Sequence, residues 1–106
     1  MVNNKILGLL GLSAKAGKIC FGSDSVENEI RKKKVNIVIV AIDSSERTRN
    51  KFEKICNENN IRMIIADTID NISKAIGKSN KAIIGIKDKN IANQIEKIYD
   101  GGDSIG

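Results

Sequence analysis

At 106 residues the chain fits one domain and leaves little room for two. Hydrophobic residues make up 41% and charged residues 29%, which excludes a disordered chain, and the formal net charge of +5 points to an acidic partner, most often nucleic acid. With three aromatics, no tryptophan and no histidine, the core must be built from Ile, Val, Leu and Ala, and the commonest general base and metal ligand is missing.

Asn3 or Asn4 can cap a first helix running to about residue 16, with Ile6, Leu9, Leu10 and Leu12 as its apolar face. Gly8 and Gly11 each cost that helix about 1 kcal/mol against Ala. Their spacing of three predicts close packing against a neighbouring element. The apolar run is too short to span a membrane, and Lys15 and Lys18 follow it instead of a small-residue cleavage site.

Residues 18–21 read as a short strand, and Gly22 permits a tight turn after it. Ser23, Asp24 and Ser25 are all good N-cap residues for a second helix, expected over residues 23–33 with Val26 and Ile30 buried. Two readings of this turn stand side by side. Gly22 and the polar residues after it simply cap a helix, or the free N–H groups of the helix start bind an anion such as phosphate, with Lys15 and Lys18 adding charge. Arg31, Lys32, Lys33 and Lys34 crowd the far end of the same helix. They complement the helix dipole or face a phosphate; the local sequence supports either.

The run 35–42 is β-branched and almost continuously apolar, as expected of a strand covered on both faces. Asp43 and Glu46 have capping-box spacing for a third helix reaching about residue 58, with Phe52, Ile55 and Cys56 buried. Residues 62–66 form a short strand. Asp67 or Thr68 caps a brief helix presenting Ile69, Ile72 and Ile76, and Gly77 ends it. A polar loop of Lys78, Ser79, Asn80 and Lys81 leads to a last strand at 82–86. Asp88 or Asn90 caps the final helix, where Ile91, Ile95 and Ile98 recur at helical spacing, and a Gly-rich, flexible tail follows over 101–106. Helices and strands alternate throughout. This predicts a three-layer α/β/α sandwich with a central four-stranded mixed sheet and about five helices, over residues 1–100.

No catalytic pattern is present. Gly17 and Gly22 have phosphate-loop spacing, but Ser23 and Asp24 stand where Lys and Ser or Thr are required. Cys20 and Cys56 belong to no C-x-x-C pair, so neither a zinc site nor a redox motif is indicated. Two free thiols in a basic chain fit a reducing cytoplasm. No cofactor, no metal and no enzymatic activity are expected.

Several segments, in order, carry a family resemblance. They are Leu9-Leu10-Gly11-Leu12-Ser13-Ala14-Lys15-Ala16-Gly17-Lys18, then Gly22 with Val26 and Ile30, then the strand from Val35 to Ala41 with Asp43 and Ser45. Cys56 and the segment Ile72-Ser73-Lys74-Ala75-Ile76-Gly77-Lys78 complete the pattern. The chain resembles the ribosomal-protein superfamily that binds kink-turn RNA, the one containing archaeal ribosomal protein L-seven-Ae and eukaryotic L-thirty-e, and within it the bacterial YlxQ-type branch. The resemblance implies an α/β/α sandwich that grips a bent RNA. Gly22, Ser23, Asp24, Ser25 and Asn28 would meet the sheared G·A pairs of the kink. Ile76, Gly77, Lys78, Ser79 and Asn80 would cover a flipped-out nucleotide. The best-known binders carry Asn, Glu and Lys at the positions held here by Asp24, Ser25 and Asn28. The expected partner is structured RNA, ribosomal RNA first, with Lys15, Lys18, Lys78 and Lys81 supplying the salt-sensitive attraction, no membrane contact and a monomeric state. The alternative is a protein-interaction module that keeps the fold without kink-turn specificity, a reading that Asp24 and Ser25 favour.

Overall fold

A computed structural model of the chain describes residues 2–101. The elements in order are α1 (Val2–Lys15), β1 (Ile19–Phe21), α2 (Ser23–Arg31), β2 (Ile37–Val40), α3 (Glu46–Glu58), β3 (Arg62–Ile65), α4 (Ile69–Ala75), β4 (Ile83–Ile86) and α5 (Lys89–Tyr99). The tail expected over 101–106 lies, from residue 102 on, outside the described residues.

The sheet has the order β1-β4-β2-β3. β2 and β3 are parallel, joined by the crossover helix α3, while β4 runs antiparallel to both β1 and β2. The four residues of β2 show why the sheet is a middle layer. All four are buried, and a strand points successive side chains to opposite faces. Ile37 and Ile39 enter one core with Ile6 and Leu10 of α1, Ile72 of α4 and Ile91, Ile95 and Ile98 of α5. Val38 and Val40 enter the other with Val26 and Ile30 of α2 and Phe52, Ile55 and Cys56 of α3. Burying each of these side chains is worth about 1.5–3 kcal/mol relative to leaving it exposed. The expected three-layer sandwich is therefore the observed one: α1, α4 and α5 below the sheet, α2 and α3 above it.

The differences from expectation have local causes. β2 is shorter than residues 35–42 because its partner β4 has only four residues; beyond the ladder the chain is held by Asn36 N–H to Ile86 and Ala41 N–H to Ala82. Asn3 and Asn4 lie inside α1, which already begins at Val2. Asp43 does not cap α3: the chain turns at 41–44, and Ser45 is the cap, accepting from Thr48 N–H. Asp43 instead accepts a hydrogen bond from Ile69 N–H at 2.8 Å, so it steadies the start of α4, whose own cap is Thr68. Asp88 caps α5. Of the two glycines in α1, Gly11 packs closely, a Cβ there falling 3.2 Å from the Ala75 carbonyl oxygen, while Gly8 has open space.

Gly85 is the tightest point of the upper core. A Cβ there would stand 2.8 Å from Cys20 Sγ and 3.3 Å from Val35. Gly85→Ala is expected to destabilise by about 1–3 kcal/mol through overpacking. Chemical denaturation should show that loss, and most of it should disappear in a Cys20→Ala background, where the obstructing sulfur is gone. Both cysteines are buried and free. Burial pushes the Cys20 thiol up, with Glu29 adding to the shift, and pushes Cys56 up to about 11. Both are neutral core side chains at physiological pH, not nucleophiles.

The far end of α5 is tied to the sheet edge. Arg62, the first residue of β3, donates to both Asp100 carboxylate oxygens, at 2.6 and 2.7 Å, and to Glu96 at 3.1 Å.

Candidate nucleic-acid interface

Phe21 ends β1 and Gly22 turns the chain into α2. Gly22 has φ 88° and ψ 151°, a conformation open almost only to glycine, and its N–H donates to the Ile83 carbonyl at 3.0 Å. Gly22 is also the N-cap, so Ser23, Asp24 and Ser25 are the first helical residues and not caps as expected. The caps of α3, α4 and α5 are Ser45, Thr68 and Asp88, each with a side chain that closes the helix start. α2 has no such side-chain cap. Its first N–H groups and the positive end of its dipole are presented at a surface where Asp24 and Ser25 are exposed.

The loop after α4 reaches the same place from the other side. Ile76 and Gly77 close α4 with Gly77 N–H donating to Lys74 and Lys78 N–H donating to Ser73, a glycine-terminated helix end with φ 73° at Gly77. Ser73, buried, then holds the loop's far end. Its Oγ accepts from Lys81 N–H at 2.7 Å and donates to the Lys81 carbonyl at 3.3 Å. The loop is thus pinned at both ends by one serine. Removing that hydroxyl leaves a partly buried N–H unpaired, so Ser73→Ala is expected to cost about 1–3 kcal/mol. Hydrogen exchange at Lys81 should rise more than exchange in the sheet.

Loop and turn meet on one aromatic ring. The ammonium groups of Lys78 and Lys81 lie 5.4 and 5.3 Å from the centroid of Phe21. Cations at this range are attracted to the ring, and the same two like charges would be neutralised by phosphates. A third cation arrives from α3: Lys51 Nζ donates to Ser23 Oγ at 3.2 Å and pairs with Glu27 at 3.3 Å. Glu27 also accepts from Arg31 at 2.6 Å, and these two bonds, Arg31's first, hold its carboxyl below the usual range.

The residues singled out in the sequence divide accordingly. Gly22, Ser23, Asp24, Ser25, Lys78, Ser79 and Asn80 come together at one end of the sheet, and Asn28 is exposed one turn further along α2. Lys15 is exposed beside them, sharing with Gly77 a shallow groove of about 360 Å³ between α1 and α4. Ile76 is only 7% exposed and belongs to the lower core, so it is not a surface residue. Lys18 is at the opposite end of β1, its carbonyl bonded to Lys87 N–H, about 13 Å from Gly22 at strand spacing. Lys51, Phe21 and Ser73 were not singled out, because their roles depend on neighbours distant in sequence. Among the described residues, no group of three or more His, Cys, Asp or Glu side chains could hold a metal ion, and no helix is long and apolar enough to cross a membrane.

The chain is similar to known proteins over most of its length. The chain is 28% identical over 92 residues to the RNA-binding protein YlxQ of Bacillus subtilis, covering 87% of this chain and 92% of the relative. It is 31% identical over 97 residues to the RNA-binding protein YlxQ of Enterococcus faecium, covering 92% and 93%. A solved structure of a protein of unknown function from Bacillus halodurans superposes with a TM-score of 0.88 at 28% identity, covering 91% of this chain and 97% of that one. The Giardia lamblia 15.5 kD RNA-binding protein superposes with a TM-score of 0.81, covering 99% and 90%; at 15% identity that likeness is one of fold. The model of the ribosomal protein L7Ae/L30e/S12e/Gadd45 family matches residues 4–96, and with this match across nearly the whole sandwich the chain belongs to that family.

Proposed function

We propose that this protein is a non-catalytic, ribosome-associated RNA-binding protein that grips kink-turn-like structured RNA between the 22–25 turn and the 78–81 loop. The observation that carries the reading is the meeting of Lys78 and Lys81 on Phe21, directly before the uncapped start of α2. The N–H groups of the helix start offer donors to phosphates or base edges, and the lysines neutralise phosphates. The two segments are fixed relative to each other by the bond from Gly22 N–H to Ile83 and by Ser73. A rigid pair of contacts of this kind selects an RNA by its bend, as proteins recognise structured RNA largely by shape. The relatives' names as RNA-binding proteins support the same reading.

The test is affinity for a kink-turn RNA against its G·A-disrupted, straightened mutant. Clear preference for the kinked form is expected. Equal binding to both would remove the kink from the account, and binding to neither would favour a protein-interaction module. Asp24 bears on the strength of the grip. Its exposed carboxylate sits in the first turn of α2, where a phosphate would approach. Asp24→Asn is expected to tighten binding by about tenfold, since it removes one repulsive charge at close range. Titration of the kinked RNA at low salt measures it.

A further inference from the structure

The interface above leaves a second group of cations unused, and they gather at the opposite end of α2. Lys32, Lys33 and Lys34 close the helix, while Lys18 and Lys87 come from the adjoining ends of β1 and β4, joined by the Lys87 N–H to Lys18 carbonyl bond of 2.7 Å. One carboxylate stands among them. Glu29 pairs with Lys87 at 2.8 Å and Lys32 at 3.7 Å. Its carboxyl is held below the usual range, chiefly by the Lys87 bond, with Lys32 and Lys34 contributing through space. Among the described residues no carboxylate forms an ion pair with Lys18, Lys33 or Lys34, and all three are exposed.

The helix dipole accounts for only part of this charge. A helix end carries about half an elementary charge, and two or three cations saturate it. Five lysines facing Glu29, with Glu58 lining a groove beside Lys33, leave a surplus that repels itself. Lys33 adds a backbone argument. It sits at φ 61°, the left-handed position that terminates α2, where α1, α4 and α5 have Gly17, Gly77 and Gly101. A lysine is disfavoured there, so a helix end built only for termination would be served better by glycine. Beside Lys33 opens a groove of about 510 Å³, rimmed by Asn36, Asn59 and Asn60 with Glu58 as its one acid. Its amide groups can hydrogen-bond phosphate or ribose hydroxyls.

We infer that this lysine cluster is a second, sequence-independent site for the phosphate backbone of the RNA duplex flanking the bend, an inference that rests on the RNA reading proposed above. α2 has nine residues and spans about 13 Å, so an RNA helix leaving the 22–25 turn along α2 meets the cluster at that distance. The first surface selects the bend; the second adds salt-sensitive affinity without selecting it.

The test uses two purified variants, each checked for a parent-like thermal melt: Lys18→Gln/Lys33→Gly/Lys34→Gln, and Lys78→Ala/Lys81→Ala. The probes are a plain RNA duplex of about two helical turns and the same duplex carrying a kink-turn, each at low and moderate salt. The triple variant should bind the plain duplex about tenfold more weakly than the parent, with a salt dependence shallower by about three units. It should keep the parent's ratio of kinked to plain affinity. The Lys78/Lys81 variant should bind the plain duplex like the parent and lose that ratio. Unchanged duplex binding by the triple variant, or a parent that does not bind the plain duplex, overturns the inference. A parent without preference for the kinked RNA, combined with weakened duplex binding by the triple variant, overturns the kink-turn reading and upholds this cluster as a duplex site.

Discussion

Phe52→Ala is expected to lower the free energy of unfolding by about 3–5 kcal/mol. Phe52 is fully buried and is the largest such side chain. It fills the upper core, where its neighbours are Val26, Ile30, Val38, Val40, Ile55, Cys56 and Ile83. None of these is large enough to move into the space a phenyl ring leaves, and β-branched side chains on a sheet have little rotamer freedom with which to try. The lost transfer energy and the cavity therefore add. Against a typical total of about 5–15 kcal/mol, such a loss is a large fraction. Urea unfolding followed by circular dichroism should show a midpoint well below the parent's. The effect has a functional consequence. α2 is held to the sheet through this same core, so the variant should lose RNA binding with temperature before it loses its secondary structure.

Lys78→Ala/Lys81→Ala is expected to weaken binding to a kink-turn RNA by roughly ten- to a hundredfold at low salt, and to flatten its salt dependence by about two units. The two ammonium groups share one aromatic ring and lie beside the helix start. Each would neutralise about one phosphate, and each neutralised phosphate contributes about one unit to the slope of log affinity against log salt. Both side chains project from a loop whose backbone is pinned by Ser73, so their removal should leave the fold intact. Equal melting curves with a reduced salt slope would separate lost contacts from lost structure. A parent-like slope would place these lysines outside the bound RNA.

Much of the fold was legible because its signals are local. The β-branched run around Ile37–Val40, the recurrence of Ile91, Ile95 and Ile98, and the glycine after α4 each depend on a short stretch of chain. The alternation of helix and strand then gave the layers. What was not legible depends on who neighbours whom. Asp43 looks like a cap for the helix that follows it, yet the fold brings it to the start of α4, 26 residues on. The spacing of Ile69, Ile72 and Ile76 reads as one apolar helix face, and Ile76 is packed in the lower core; only the family resemblance placed it in the RNA-covering loop. Lys18 and Gly22 are four residues apart, and the extended strand between them puts them at opposite ends of β1. Lys51 reaches Ser23 across 28 residues, and Ser73 holds Lys81 across a turn. The turn at Gly22 was visible as chemistry; a part for the loop of residues 76–80 in the proposed surface was suggested only by the family resemblance.

Two segments more than fifty residues apart are proposed to form one RNA-binding surface. Titrating a kink-turn RNA into isotope-labelled protein and following the backbone amides tests it most directly. The amides of Ser23, Asp24, Ser25, Lys78, Ser79 and Asn80 are expected to shift together, with one common affinity, while those facing α5 stay still. Shifts confined to one of the two segments, or to neither, would contradict it.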